Sequence, residues 1–192
     1  MDRKESILKA AIILFAERGF NATPTSEIAK RAGVAEGLIF HYFKNKGGIL
    51  VHILEEMMDA YIQGLEANME KAATGLEAIE NIIAFHLRFS EKRSKEFIVV
   101  IRDFPFDLMK AGSPAMGMIT EGSVRISHVM RRCIERGIKD GSIQEVPVEE
   151  TVFLIRGLLN GLIRLKMLGT QKMPEITPAI TDFCHRALAT QD

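Results

Sequence analysis

Apolar residues recur at three- and four-residue spacing along nearly the whole chain, and no stretch alternates with the two-residue period of a strand. The pattern predicts an all-α fold. Between about Arg3 and Arg18, Ile7, Ala11, Leu14 and Phe15 share one face, and Gly19 supplies a stop. A second helix is expected from near Pro24, with Thr23 as its N-cap and the proline in the first turn, where an N–H would be unpaired anyway. Ile28, Ala29 and Ala32 line its inner face, and Gly33 permits the positive φ of a sharp reversal. A short third helix over about 36–43 turns Ile39 and Phe43 inward. Asn45 then reads as the N-cap of a long helix over about 46–72, with Leu50, Ile53, Leu54, Met57, Met58, Tyr61 and Leu65 as its buried stripe. Further helices are expected at about 75–90, 94–110, 114–140, 148–168 and 174–189, separated by Gly, Pro and Ser punctuation.

The segment Ile28–Lys46, IAKRAGVAEGLIFHYFKNK, carries the most information. Two short helices joined by a glycine turn make a helix-turn-helix, the shape that lays its second helix in a DNA major groove. With Ile39 and Phe43 inward, Glu36, Gly37, Leu38, Phe40, His41 and Tyr42 occupy the remaining faces and are expected to meet the groove. A plain helical hairpin with a polar outer face would share the turn glycine; here the cap, the turn and the inward pair all agree on the motif. The net charge of the chain is zero, yet residues 1–47 hold eight Lys or Arg against five Asp or Glu. This modest basic excess predicts affinity that depends on salt through a limited number of phosphate contacts.

The stretch Ile7–Leu50 resembles the DNA-binding domain of the TetR family of bacterial transcriptional regulators. The likeness rests on FAERGF (Phe15–Phe20), the run Ala22–Ile28, the AGV turn at Ala32–Val34, Gly37, the aromatic run Phe40–Phe43, and Lys46. It implies that Thr25 touches phosphate at the start of the second helix, that Gly37 and Tyr42 lie against DNA, and that Lys46 contacts phosphate. Two positions depart from the family pattern. Ala35 stands where Ser or Thr is usual, leaving the recognition helix without a side-chain cap, at a cost of about 1 kcal/mol. Gly47 stands where an acidic residue is usual.

The expected organisation is a three-helix DNA-binding domain over residues 1–47 and a helical ligand-binding and dimerisation domain over 48–192. In the second region, Val152, Phe153, Leu154, Ile155, Leu158, Leu159, Leu162, Ile163, Leu165 and Met167 cover nearly the whole circumference of one helix. Such a helix must bury more than one face. It either lies wholly inside a monomer or packs one face on a partner chain, with Gly157 and Gly161 admitting a close helix and Phe183 and Leu188 completing the seam. The family resemblance implies the dimer, with Leu154, Leu158, Gly161, Leu162, Leu165 and Phe183 at the interface, and a two-fold dimer matches a palindromic operator. Between Phe85 and Met130 the chain is rich in Phe and Met; Phe85, Phe89, Phe104, Met109, Met116 and Met130 are the candidates to line a pocket for a small lipophilic effector. For any one of them taken singly, ordinary core packing is the better reading. His86, near Phe85 and Phe89, could hydrogen-bond the polar end of a ligand.

The remaining chemistry is sparse. Cys133 and Cys184 make no metal-ligand spacing with any histidine and are expected as buried small residues. Charges interrupt every apolar run near the start, and no run reaches the roughly 20 apolar residues of a membrane span, so a cytoplasmic protein is expected. No metal, cofactor or catalytic constellation is legible: His52 with Glu55 or Glu56 lacks a third ligand, and neither a nucleophile elbow nor a phosphate-binding loop occurs. The readings combine into a homodimeric, ligand-responsive repressor of transcription. The alternative is an architectural or division-linked DNA-binding protein of the same fold that responds to a protein partner.

Overall fold

The computed structural model describes residues 2–102, 105, 108, 110, 112–169 and 175–190, with the backbone alone for 101, 102 and 168. Among these residues the chain forms nine helices: α1 (Arg3–Arg18), α2 (Thr25–Ala32), α3 (Gly37–Phe43), α4 (Lys46–Glu70), α5 (Gly75–Lys92), α6 (Ser94–Arg102), α7 (Pro114–Asp140), α8 (Val148–Leu168) and α9 (Thr177–Leu188). They pack as two compact units, one of residues 1–59 with 93–120 and the other of 60–92 with 121–192, so the divisions fall within α4, between α5 and α6, and within α7.

The core of the first unit gathers Ile7, Ala11, Leu14 and Phe15 of α1, Ile28 and Ala29 of α2, Ile39 and Phe43 of α3, and Ile49, Leu50 and Ile53 of α4. Val99 of α6 is buried among them. Local caps define the ends. The Asp2 carboxylate accepts from the Lys4 N–H at the start of α1, and the Asn45 side chain accepts from the Gly48 N–H at 2.9 Å, which makes Asn45 the expected cap of α4. Gly33 closes α2 in the left-handed conformation, φ 68°, with the Val34 N–H returning to the Ala29 carbonyl.

Two boundaries differ from expectation. Thr23 is not the cap of α2: its side chain is fully buried and its hydroxyl donates to the Gly19 carbonyl at 2.8 Å, while Pro24 occupies the cap position without a side-chain bond. The helix expected to reach Lys110 is described over Ser94–Arg102, and Pro105 beyond it is outside the helix, where it has no N–H to donate to a helical ladder. The pocket candidates Phe104 and Met109 lie outside the described residues.

The second unit is a helical assembly around Leu65 and Met69 of α4, Ile79, Ile82 and Ile83 of α5, Val129, Met130, Cys133 and Ile134 of α7, Ile155 and Leu159 of α8, and Ile180 and Cys184 of α9. Both cysteines are buried and unbridged; desolvation pushes the Cys133 thiol up to about 11, which keeps it protonated and inert. The start of α5 is held by the end of α7. The Gly75 N–H donates to the Asp140 carboxylate at 2.8 Å, and the Leu76 N–H donates to the Ser142 hydroxyl at 3.1 Å. Backbone meets backbone here: a Cβ on Gly75 would lie 2.1 Å from the Gly137 nitrogen. Gly75→Ala is therefore expected to lower the unfolding free energy by about 3 kcal/mol, measured by urea denaturation against Gly117→Ala, whose added methyl enters open space.

Candidate functional site

The recognition helix α3 is only seven residues long, too short to be stable alone, so its position depends on what it packs against. Ile39 and Phe43 are buried in the first core and act as its anchors. Phe40, His41 and Tyr42 are exposed, Phe40 to 50% and Tyr42 to 38%, and the His41 and Tyr42 rings meet edge to face with centroids 5.0 Å apart. Large aromatic side chains left in water on a short helix are unusual unless something else covers them. Leu38 is half-buried against the core rather than wholly outward. Gly37 is open, with nothing near the position of an added Cβ. No side chain caps α3, as the alanine at position 35 implies. Beside it, the Thr25 hydroxyl donates to the Glu36 carboxylate at 2.6 Å, joining the first residue of α2 to the start of α3.

Lys46 has a different placement from that implied by the resemblance. Its ammonium donates to the carbonyls of Phe20 at 2.8 Å and Thr23 at 3.0 Å, with Asn21 a longer contact at 3.4 Å, and it stands 4.5 Å above the centre of the Phe20 ring. Partial burial lowers its pKa. In this conformation Lys46 ties α4 to the turn between α1 and α2 instead of presenting a free cation. Glu36, Gly37, Phe40, His41 and Tyr42 are exposed, and the half-buried Thr25 is joined to Glu36.

In the second unit, Phe85 stacks on Tyr61 with 5.7 Å between ring centres and Phe89 meets the same ring at a tilt, 5.3 Å away, while Phe85 fills the space that a side chain on Gly64 would need. Tyr61 and His86 share a hydrogen bond of 2.5 Å through Nδ1. His86 is 4% exposed, and its Nε2 has no hydrogen-bond partner; the Leu159 carbonyl favours the protonated ring but makes no bond of normal geometry. Burial lowers the His86 pKa to about 4, and burial also raises that of Tyr61. Near them, Arg156 of α8 donates to the hydroxyls of Ser123, at 2.8 Å, and Ser127. The pairing of Arg156 with two serines of α7 has no signature in the sequence, although an arginine inside the apolar run of α8 is a visible signal. Of the other pocket candidates, Met130 is buried in this core and Met116 belongs to the first unit. Separately, a cleft of about 290 Å³ opens among Leu87, Ser90, Leu162, Ile163 and Ile176.

α8 is not wholly internal. Val152, Ile155, Leu159 and Ile163 face the core, whereas Phe153 is 78% and Leu154 69% exposed, joined by Leu158, Gly161 and Leu165 on α8 and Phe183 on α9. Leu162 is partly buried against the core. Among the described residues no group of acidic, histidine or cysteine side chains could hold a metal ion, and no helix is long and apolar enough to cross a membrane.

Residues 7–53 match the family described as bacterial regulatory proteins, tetR family. It is 28% identical to the fatty acid metabolism regulator protein of Bacillus subtilis (strain 168) over 167 residues, covering 86% of this chain and 84% of that protein. Its fold is similar to the transcriptional regulator FadR of Bacillus subtilis in complex with stearoyl-CoA, with a TM-score of 0.79 at 26% identity over 93% of this chain and 96% of that one. The TetR-family regulator PfmR of Thermus thermophilus superimposes with a TM-score of 0.77 at 25% identity, covering 94% and 97% of the two chains.

Two outcomes follow from these geometries. Tyr42→Ala is expected to weaken DNA binding roughly tenfold at fixed salt without changing stability, whereas Lys46→Met orphans the Thr23 carbonyl, leaves that of Phe20 with the Thr23 N–H alone, and is expected to cost about 1–3 kcal/mol of stability as well; chemical unfolding beside filter binding separates them. Because His86 is depressed from 6.5 to about 4, the unfolded chain takes up a proton that the folded one refuses as pH falls below 6.5. Stability is thus full above pH 6.5 and declines towards pH 4. Between pH 7.5 and 5.5 the loss from this group is about 1.4 kcal/mol, and His86→Gln is expected to flatten that part of the urea-unfolding profile.

Proposed function

We propose that the protein is a homodimeric repressor that leaves its operator when a long-chain acyl thioester or fatty acid occupies the second unit. The observation that carries the DNA half is α3 itself, held by two buried anchors and presenting exposed aromatic rings beside Thr25 and Glu36. Likeness to a fatty acid metabolism regulator, and to a regulator solved with stearoyl-CoA, supports an acyl effector, as does the aromatic cluster of Tyr61, Phe85 and Phe89. The apolar face of Phe153, Leu154, Leu158, Gly161, Leu165 and Phe183 is the surface on which two copies pair, and pairing presents two recognition helices to a palindrome. Thr25, Glu36, Gly37, Leu38, Phe40, His41 and Tyr42 form the DNA surface, with Lys46 as its brace. The protein works in the cytoplasm as a binding protein without catalysis of its own.

The ligand acts by population shift: it binds better to the conformation whose recognition helices are badly spaced, and operator affinity falls by that differential energy. A coupling of about 1–3 kcal/mol corresponds to a loss of roughly 5- to 150-fold. With an operator recovered by selection from random-sequence DNA, anisotropy titrations are expected to show stearoyl-CoA weakening the complex within that range and free coenzyme A leaving it unchanged. Equal affinity with and without stearoyl-CoA would remove the acyl effector and favour the alternative in which a protein partner is the signal.

A further inference from the structure

A guanidinium that is partly withdrawn from water normally has a carboxylate beside it, because the alternative is a desolvated and uncompensated charge. Arg156 has none among the described residues; its hydrogen bonds go to Ser123 and Ser127, two neutral hydroxyls four residues apart on α7. The serines fix the fork without cancelling its charge. Close enough to feel that charge is Tyr61, and Tyr61 hands its hydrogen bond to His86, whose other ring nitrogen is buried without a partner. Buried polar atoms are almost always satisfied, so a ring that meets Tyr61 through Nδ1 and leaves Nε2 without a bond of normal geometry, in the same unit as a guanidinium held only by hydroxyls, marks a polar network that the chain itself does not complete. The neighbours of Tyr61 on its other sides are Phe85 and Phe89, an apolar surface suited to a hydrocarbon chain.

We infer that Arg156, held by Ser123 and Ser127 and flanked by the Tyr61–His86 pair, is the head-group anchor of the second unit, binding the carbonyl-bearing end of an acyl ligand whose chain lies on Phe85 and Phe89. This deepens the acyl-effector reading above and rests on it. The shared chemistry is an oxygen acceptor on an acyl carbon, supplied either by a free carboxylate or by a thioester. A carboxylate can take the guanidinium fork in two hydrogen bonds, whereas a thioester carbonyl takes one.

The test is isothermal titration of the full-length protein with myristate, myristoyl-CoA and myristyl alcohol, which share a chain and differ in the head. Arg156→Met is expected to weaken the carbonyl-bearing probes at least tenfold while changing the alcohol less than twofold. Loss confined to myristate identifies the free acid as the anchored form, and loss confined to myristoyl-CoA identifies the thioester. Should Arg156→Met fold poorly, Ser123→Ala with Ser127→Ala keeps the charge and frees the fork, and a loss of threefold or more, again sparing the alcohol, is expected. Equal loss for all three probes would make Arg156 a packing residue and overturn the anchor. Acyl binding unchanged in both variants would also overturn it while leaving the effector reading intact. Failure of the wild-type protein to bind any acyl probe would remove the effector reading, and the anchor with it.

Discussion

The carbonyls of Phe20 and Thr23 sit in the turn between α1 and α2, outside any helical ladder, and the Lys46 ammonium donates to both. The Phe20 carbonyl also accepts from the Thr23 N–H, but that of Thr23 would be left unpaired beside a buried core at a substantial penalty. The same lysine opens α4, so one side chain joins the beginning of the motif to the helix that follows it. Thr23 completes the arrangement from inside, its hydroxyl bonded to the Gly19 carbonyl. Because α3 is too short to persist by its own hydrogen bonds, the direction in which Phe40, His41 and Tyr42 point is decided by this frame and by the burial of Ile39 and Phe43. The face that α3 exposes is a property of the tethered unit more than of the helix alone.

The second unit is built under a different constraint. Most of its interior is aliphatic, and it tolerates polar groups only where they satisfy one another. The start of α5 does this with Asp140 and Ser142, a closed arrangement in which every partner belongs to the chain. The group around Tyr61, His86 and Arg156 is incomplete by the same standard. Under the proposed anchor, a ligand that completed the network would stabilise whichever conformation allowed it to do so, and that differential stabilisation would be the signal.

Much of this was legible in the chain. Gly33, Asn45, Ile39 and Phe43 have roles set by local backbone geometry or helical periodicity, and both signals are carried by neighbouring residues. The α8 pattern also showed that the helix carries more apolar surface than one face, to be covered inside the chain or by a partner. What was not legible depends on pairs distant along the chain. Thr-Pro suits a helix cap and a buried turn equally, and the choice of the turn reflects the packing of α1. Lys46 lies more than twenty residues from the carbonyls it satisfies, so a charged residue beside a DNA-binding motif read as a phosphate contact. Val99 joins the first core from α6, and Arg156 meets Ser123 and Ser127 across two helices; neither has a periodic signature.

The central claim is that occupation of the second unit alters the spacing of two recognition helices in one dimer. It is tested by double electron–electron resonance with a spin label at Lys30→Cys, an exposed position on α2; Cys133 and Cys184 are buried and leave the label to the new thiol. The account predicts a broad interspin distribution in the free dimer, a narrow one on operator DNA matched to half-sites about 34 Å apart, and a shift away from it when stearoyl-CoA is added. A distribution identical with and without stearoyl-CoA, in protein shown to have bound it, would contradict the account.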